Sequence, residues 1–139
     1  MKNESEFSTC VCNIIKRAEG DVSRVESKNT SPGIPDLDYC LQGNEGKIEL
    51  KYCTTKRGAD IKPSQVRWMR QRVKSGGKPI YLCYNSDKKT VHFVLDVTNP
   101  ALHGTVRWHV WEELSKWSIH IKDLDNFLVS FILDGQYDK

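Results

Sequence analysis

Glu49-Leu50-Lys51 sets a carboxylate and an ammonium two residues apart, and Pro35-Asp36 supplies a second carboxylate upstream. If this stretch is extended, Glu49 and Lys51 project from one face, because strand side chains alternate with a period of two. Carboxylates are the hard oxygen ligands that Mg²⁺ or Mn²⁺ takes, with waters and substrate oxygens completing the shell. A cation so held lowers the pKa of a bound water and offsets charge on a phosphate. The ammonium of Lys51 offers donors only, so its task would be to position the attacking water or to meet the phosphoryl oxygens. The backbone carbonyl of Leu50 is a further candidate ligand. Glu-x-Lys alone is common on surface strands with no such task. Pro35-Asp36, at the head of a neighbouring strand after Gly33, is what turns the set towards metal-assisted phosphate chemistry.

The elements that must carry these residues can be read from periodicity. Between Asp36 and Leu41, the residues Leu37, Tyr39 and Leu41 face one way, and Asp36, Asp38 and Cys40 the other. Between Lys47 and Cys53, the residues Ile48, Leu50 and Tyr52 oppose Glu49, Lys51 and Cys53. Gly43-Asn44-Glu45-Gly46 between them reads as a hairpin turn. With Asn44 and Glu45 as the loop, Cys40 lies opposite Glu49 and Asp38 opposite Lys51. Asp36 then faces Cys53, some 13 Å along the strand from Glu49 at about 3.4 Å per residue. Either the first strand bends or bulges near Asp38, or Asp38 is the closer carboxylate.

Around this hairpin, Phe7, Val11, Ile14 and Ala18 recur at helical spacing and are closed by Gly20. Asp21 to Ser27 reads as a short strand and Lys28 to Pro32 as a loop. A basic loop from Thr54 to Lys62, containing Lys56 and Arg57, leads into a helix that starts at Pro63 and stops at Gly76. Val66, Met69 and Val73 form its apolar stripe, with Arg67, Arg70 and Lys74 together on its flank. Strands are expected over Lys78–Tyr84, Thr90–Val97 and Thr105–Trp111. Leu124, Phe127, Leu128, Phe131 and Ile132 make an amphipathic helix ended by Gly135, and Trp108, Trp111 and Trp117 are expected in the core. The order αβββαβ predicts an α/β fold, a mixed sheet flanked by helices, with a C-terminal strand/helix extension.

At 139 residues the chain is expected to form one domain, with its core over about 3–97 and the extension over 98–139. With 38% hydrophobic and 28% charged residues, the composition excludes a disordered chain. A net charge of +3 does not by itself imply nucleic acid. Lys and Arg nonetheless concentrate between Lys47 and Lys78, whereas the end of the chain carries Asp123, Asp125, Asp134 and Asp138. Five cysteines, an odd number without C-x-x-C spacing, argue against a disulfide scaffold or a zinc ribbon. The absence of a signal-peptide pattern and of a long apolar run leads to the expectation of a cytoplasmic protein.

Gly33-Ile34-Pro35-Asp36 followed by Ile48-Glu49-Leu50-Lys51 resembles the PD-(D/E)XK nuclease superfamily. With Arg24-Val25-Glu26, Leu37-Asp38-Tyr39-Cys40, Pro63-Ser64-Gln65 and Gly76-Gly77, the ordered set looks most like the VRR-NUC branch. Its small phage-type members, similar to Holliday-junction resolvases, are the nearest in character, and the resemblance covers roughly residues 3 to 97. It implies a restriction-endonuclease-like core and a Mg²⁺- or Mn²⁺-dependent DNA endonuclease, structure-selective for junctions or other branched DNA. A restriction- or repair-type endonuclease, an exonuclease, or a non-catalytic DNA-binding module are the alternatives on that core. The resemblance implies Asp36 and Glu49 as metal ligands, Lys51 as the residue assisting the nucleophile, Gln65 beside the site, and a further carboxylate from the first helix, Glu4 or Glu6. Arg24 matches a family position, and with Lys56, Arg57, Arg67, Arg70 and Lys74 would meet DNA. A junction has two symmetric scissile strands, which a homodimer would match.

Overall fold

The computed structural model describes residues 1–25 and 33–135. Glu26, Ser27, the expected loop Lys28–Pro32 and Asp138 lie outside the described residues. The first helix, α1 (Glu4–Arg17), is capped by Asn3, whose side chain accepts from the Glu6 N–H at 2.9 Å. Glu4 and Glu6 in its first turn, and Lys16 and Arg17 in its last, suit the helix dipole. The chain leaves α1 through Glu19, at φ 67, rather than through Gly20. Gly20 is small for another reason: a Cβ there would lie 2.8 Å from Ile15 Cγ2.

After β1 (Asp21–Arg24) comes the hairpin of β2 (Leu37–Leu41) and β3 (Asn44–Cys53). Its turn is Gln42-Gly43, both with positive φ (50 and 82), the two-residue geometry whose twist matches the flanking strands. The register runs from Leu37 opposite Ile48 to Leu41 opposite Asn44, without interruption. This corrects the expected pairing by four residues: Cys40 faces Glu45, Asp38 faces Lys47, and continuing the ladder puts Asp36 opposite Glu49. The bend or bulge near Asp38 is therefore absent. The physical reason is the turn itself. It needs a residue free to adopt positive φ at its second central position, and Gly43 serves there, whereas the expected register left Gly43 and Gly46 flanking the loop.

From β3 the chain passes through β4 (Ala59–Ile61) and α2 (Pro63–Lys74) to β5 (Ile80–Asn85), which pairs parallel with β3. Then follow β6 (Thr90–Val94), β7 (Gly104–Val106), α3 (Trp108–Leu114), β8 (Trp117–His120), a single 3₁₀ turn (Ile121–Asp123) and α4 (Leu124–Leu133). The main sheet has the order β1-β2-β3-β5-β6-β8, antiparallel except at β3–β5, and β4 pairs with β7 in a separate two-stranded sheet. This is a mixed α/β fold with a restriction-endonuclease-like core.

Both faces of the sheet are covered. On one, Phe7, Val11 and Ile15 of α1 and Leu128 and Phe131 of α4 pack on Leu37, Ile48, Leu50, Leu82 and Phe93. On the other, Met69 of α2, Ile61, Val106 and Trp111 pack on Cys53, Tyr81, Cys83 and Val94. The expected strand over Thr105–Trp111 is only three residues long and gives way to α3, which buries Trp111 completely and ties its indole N–H to the Val106 carbonyl at 3.1 Å. Trp108 and Trp117 are half-buried against the two clusters. Val73, expected in the α2 stripe, is 40% exposed. Residues past 97 contribute β8 to the main sheet and α4 to its cover. Among the described residues no helix is long and apolar enough to cross a membrane.

Candidate active site

Period-two alternation along β3 sends Ile48 and Leu50 into the α1/α4 core and turns Glu49 and Lys51 to the opposite face. That face is roofed by α2 and β4, so both charged residues are nearly sealed, at 2% and 6% exposure. Asp36, just before β2, meets them through a reciprocal pair of bonds. Its N–H donates to Glu49 Oε1 at 3.1 Å, and its Oδ2 accepts from the Leu50 N–H at 2.9 Å. Strand N–H and C=O groups of one residue point to the same edge, so the Leu50 carbonyl opens towards the Asp36 side as well. The corrected register is what places Asp36 here.

Gln65, in the first turn of α2, joins the other side of the network. Its Nε2 donates to Glu49 Oε2 at 2.8 Å, while its Oε1 accepts from Lys51 Nζ and from the Lys62 N–H, each at 3.0 Å. Gln65 thus satisfies a free N–H at the helix start and fixes the site with the same side chain. Lys51 Nζ also donates to the Asp60 carbonyl at 2.6 Å and lies 3.3 Å from Glu49 Oε2. α2 approaches closely because of Gly33, at φ +90, where a Cβ would be driven into the Ser64 carbonyl.

Two carboxylates this close in a sheltered site compete for charge. Burial, and then the charge of Asp36, push Glu49 up to about 8, against the pull of Lys51. Burial also raises Asp36, opposed by the Leu50 N–H, by Lys51 and by Glu49. Glu4 is raised by desolvation and then by Asp36, with Lys51 opposing. The buried Tyr81, beside Glu49 on β5, is raised by burial and by the charge of Glu49.

The network forms the floor of a cleft of about 650 Å³, lined further by Glu4, Tyr52, Gly58 and Lys62. A smaller hollow of about 280 Å³, lined by Arg24, Ser5, Ser8 and Leu50, adjoins it at Glu4, Val25 and Asp36. Among the described residues no three His, Cys, Asp or Glu side chains form a metal cage. Mg²⁺ does not require one: one or two carboxylates suffice when waters and substrate oxygens complete the octahedron. Asp36, Glu49 and the Leu50 carbonyl fit that description, and the proton held on Glu49 near neutral pH marks where positive charge is wanted.

Asp36, Glu49, Leu50, Lys51 and Gln65 are thus brought together, with Glu4 at the mouth and Arg24 alongside. Asp38 is engaged elsewhere, 3.0 Å from Lys47, and Glu6 accepts from the Lys2 N–H at 2.6 Å. Lys56 and Arg57 are exposed on the β3–β4 loop, and Lys74 is exposed at the end of α2. Arg67 and Arg70 line a separate cleft of about 410 Å³ with His103. Three participants were not expected: Lys62 in the basic run, Tyr81 under Glu49, and Asp60. Asp60 acts through its carbonyl, which no residue pattern reports.

No protein-family model matches the chain, and no curated protein matches it in sequence. Its structure is similar to that of Hjc, a Holliday junction resolvase from the archaeal hyperthermophile Archaeoglobus fulgidus, with a TM-score of 0.58 at 13% identity over 87% of this chain and 98% of that one. It also matches a VRR_NUC domain at a TM-score of 0.48 and 21% identity, over 60% of this chain and 86% of that one. At 13% identity what the chain shares with that resolvase is the fold.

Proposed function

We propose that the chain is a Mg²⁺- or Mn²⁺-dependent deoxyribonuclease that hydrolyses phosphodiester bonds in junction or other branched DNA. The observation that carries this reading is the pair of half-buried Asp36 and buried Glu49, locked to Lys51 through Gln65 at the floor of a cleft. Asp36, Glu49 and the Leu50 carbonyl would hold the cation. Bound there, it would supply an activated water and charge stabilisation on the phosphate. Lys51, its ammonium 3.3 Å from Glu49 Oε2, would orient the nucleophile or meet the phosphoryl oxygens. Gln65 keeps Glu49 and Lys51 in fixed relation, and Glu4 adds negative charge at the mouth. Arg24, Lys56, Arg57, Arg67, Arg70 and Lys74 would meet the DNA backbone, which favours recognition by shape rather than by base sequence. Two copies related by a twofold axis would match the two equivalent strands of a junction.

The test is incubation with four-way junction, flap, duplex and single-stranded DNA in Mg²⁺, Mn²⁺ or EDTA, with Lys51→Ala in parallel. Paired nicks on junctions, lost in EDTA and in the variant, support the reading. Metal-independent cutting, or full activity in Lys51→Ala, sinks the mechanism. Progressive shortening from ends would instead select an exonuclease, and binding without any cutting a non-catalytic module.

A further inference from the structure

Lys51 has three N–H donors and three acceptors within reach: the Asp60 carbonyl at 2.6 Å, Gln65 Oε1 at 3.0 Å and Glu49 Oε2 at 3.3 Å. The last belongs to a carboxylate that, in the proposed reaction, turns to a cation. The shortest belongs to backbone, and so moves only with β4. A lysine stem has four rotatable carbons, so whatever fixes that carbonyl sets where the ammonium points.

β4 is three residues long and depends on β7 for its pairing. At the pair Asp60–Thr105 the Asp60 carbonyl is turned towards Lys51, and the side chains link the strands instead: Thr105 Oγ1 donates to Asp60 Oδ1 at 2.7 Å. One residue before β4, a Cβ on Gly58 would come within 2.5 Å of the Val106 carbonyl oxygen and 2.9 Å of its carbon, so the two backbones meet there. That same carbonyl takes the indole N–H of the fully buried Trp111 at 3.1 Å. The contacts are continuous: Trp111 anchors β7, β7 holds β4, and β4 presents Asp60 to Lys51.

We infer that Thr105 and Asp60 are positioning residues for Lys51, so that the segment beyond residue 97 serves the chemistry although it carries none of the site's side chains. This rests on the nuclease reading for its activity arm, and has a second arm that does not. On the full chain with junction DNA and Mg²⁺, Thr105→Val removes the hydroxyl at an exposed position and keeps the branched shape. It is expected to lower kcat about three- to tenfold with KM and melting temperature unchanged, because small displacements of a positioned group weigh on the chemical step. Thr105→Ser, which restores the hydroxyl, should recover the rate. Gly58→Ala, which pushes β4 off β7, should lower it further.

In protein labelled with ¹⁵N-lysine, the Lys51 ammonium should give a protected resonance in the parent and in Thr105→Ser, and a broadened one in Thr105→Val. An unchanged kcat together with an unchanged resonance in Thr105→Val overturns the inference. Should the parent cut no DNA at all, the nuclease reading fails by itself, and the resonance alone decides whether β7 holds Lys51.

Discussion

Without metal, Glu49 holds its proton to about pH 8, whereas an ordinary glutamate releases it near 4.5. A folded-state pKa raised in this way makes the protonated form the stabilising one. Its contribution is complete below about pH 4.5 and is lost as pH rises through 8. Between those values the unfolded chain has lost a proton that the folded chain keeps, so stability falls by about 1.36 kcal/mol per pH unit. Asp36 and Glu4, also raised, add with the same sign. His92 runs the other way: burial lowers it, so its contribution grows with pH and is complete by its ordinary 6.5. The informative window therefore opens at 6.5. From there to pH 8 the loss comes to about 1.5–2 kcal/mol, or roughly 5–8 °C in melting temperature for a chain of this size. Calorimetry in EDTA across that window measures it. Glu49→Gln cannot ionise and should lose most of the slope whatever its absolute stability. Saturating Mg²⁺ should flatten the parent's profile, stabilising more at pH 8 than at 6.5, because the cation takes the place of the proton. A flat profile in EDTA, or an equal slope in Glu49→Gln, would refute the reasoning.

Other substitutions have equally definite outcomes. Lys51→Ala should reduce DNA cutting by about a hundredfold or more while circular dichroism shows a folded chain. Gly33→Ala meets both the positive φ and the Ser64 carbonyl, and should lower the urea-unfolding free energy by about 2 kcal/mol or more. Gln42→Asn suits the positive φ of the hairpin turn better than glutamine does, and should raise the same quantity by roughly 0.5 kcal/mol. Trp111→Phe loses the bond to Val106 and leaves a void, which should cost about 2 kcal/mol in a denaturant titration.

The strands of the site were legible because alternation is a local signal: Leu37, Tyr39 and Leu41, then Ile48 and Leu50, are buried as their spacing required. Which residues face one another was less so. Register depends on where the chain reverses, and two glycines three apart left two positions for the turn. Taking Asn44-Glu45 as the loop, where the turn is in fact Gln42-Gly43, moved Asp36 four residues from its true partner. Alternation also does not say whether the polar face of a hairpin meets water. Glu49 and Lys51 face a roof built by α2 and β4, and only tertiary packing reveals that roof. The run from Thr105 to Trp111 misled for a related reason, since a short alternating stretch reads alike as a strand and as a three-residue strand followed by a turn of helix. Asp60 contributes a carbonyl, which every residue has, so nothing in its identity could mark it.

The side chains of the proposed reaction are all made by residue 65, but the sheet that carries them is not complete. β7 ends at Val106, β8 pairs with β6 from Trp117, and α4 seals the sheet only with Leu128, Phe131 and Ile132. During synthesis the ribosome would therefore display β5 and β6, buried on both faces in the folded chain, well before the elements that cover them emerge. Non-local closure of this kind is slow and leaves strand edges open to other chains. A nascent chain stalled before α4 would present these strands to chaperones, and the proposed chemistry would wait until α4 had docked.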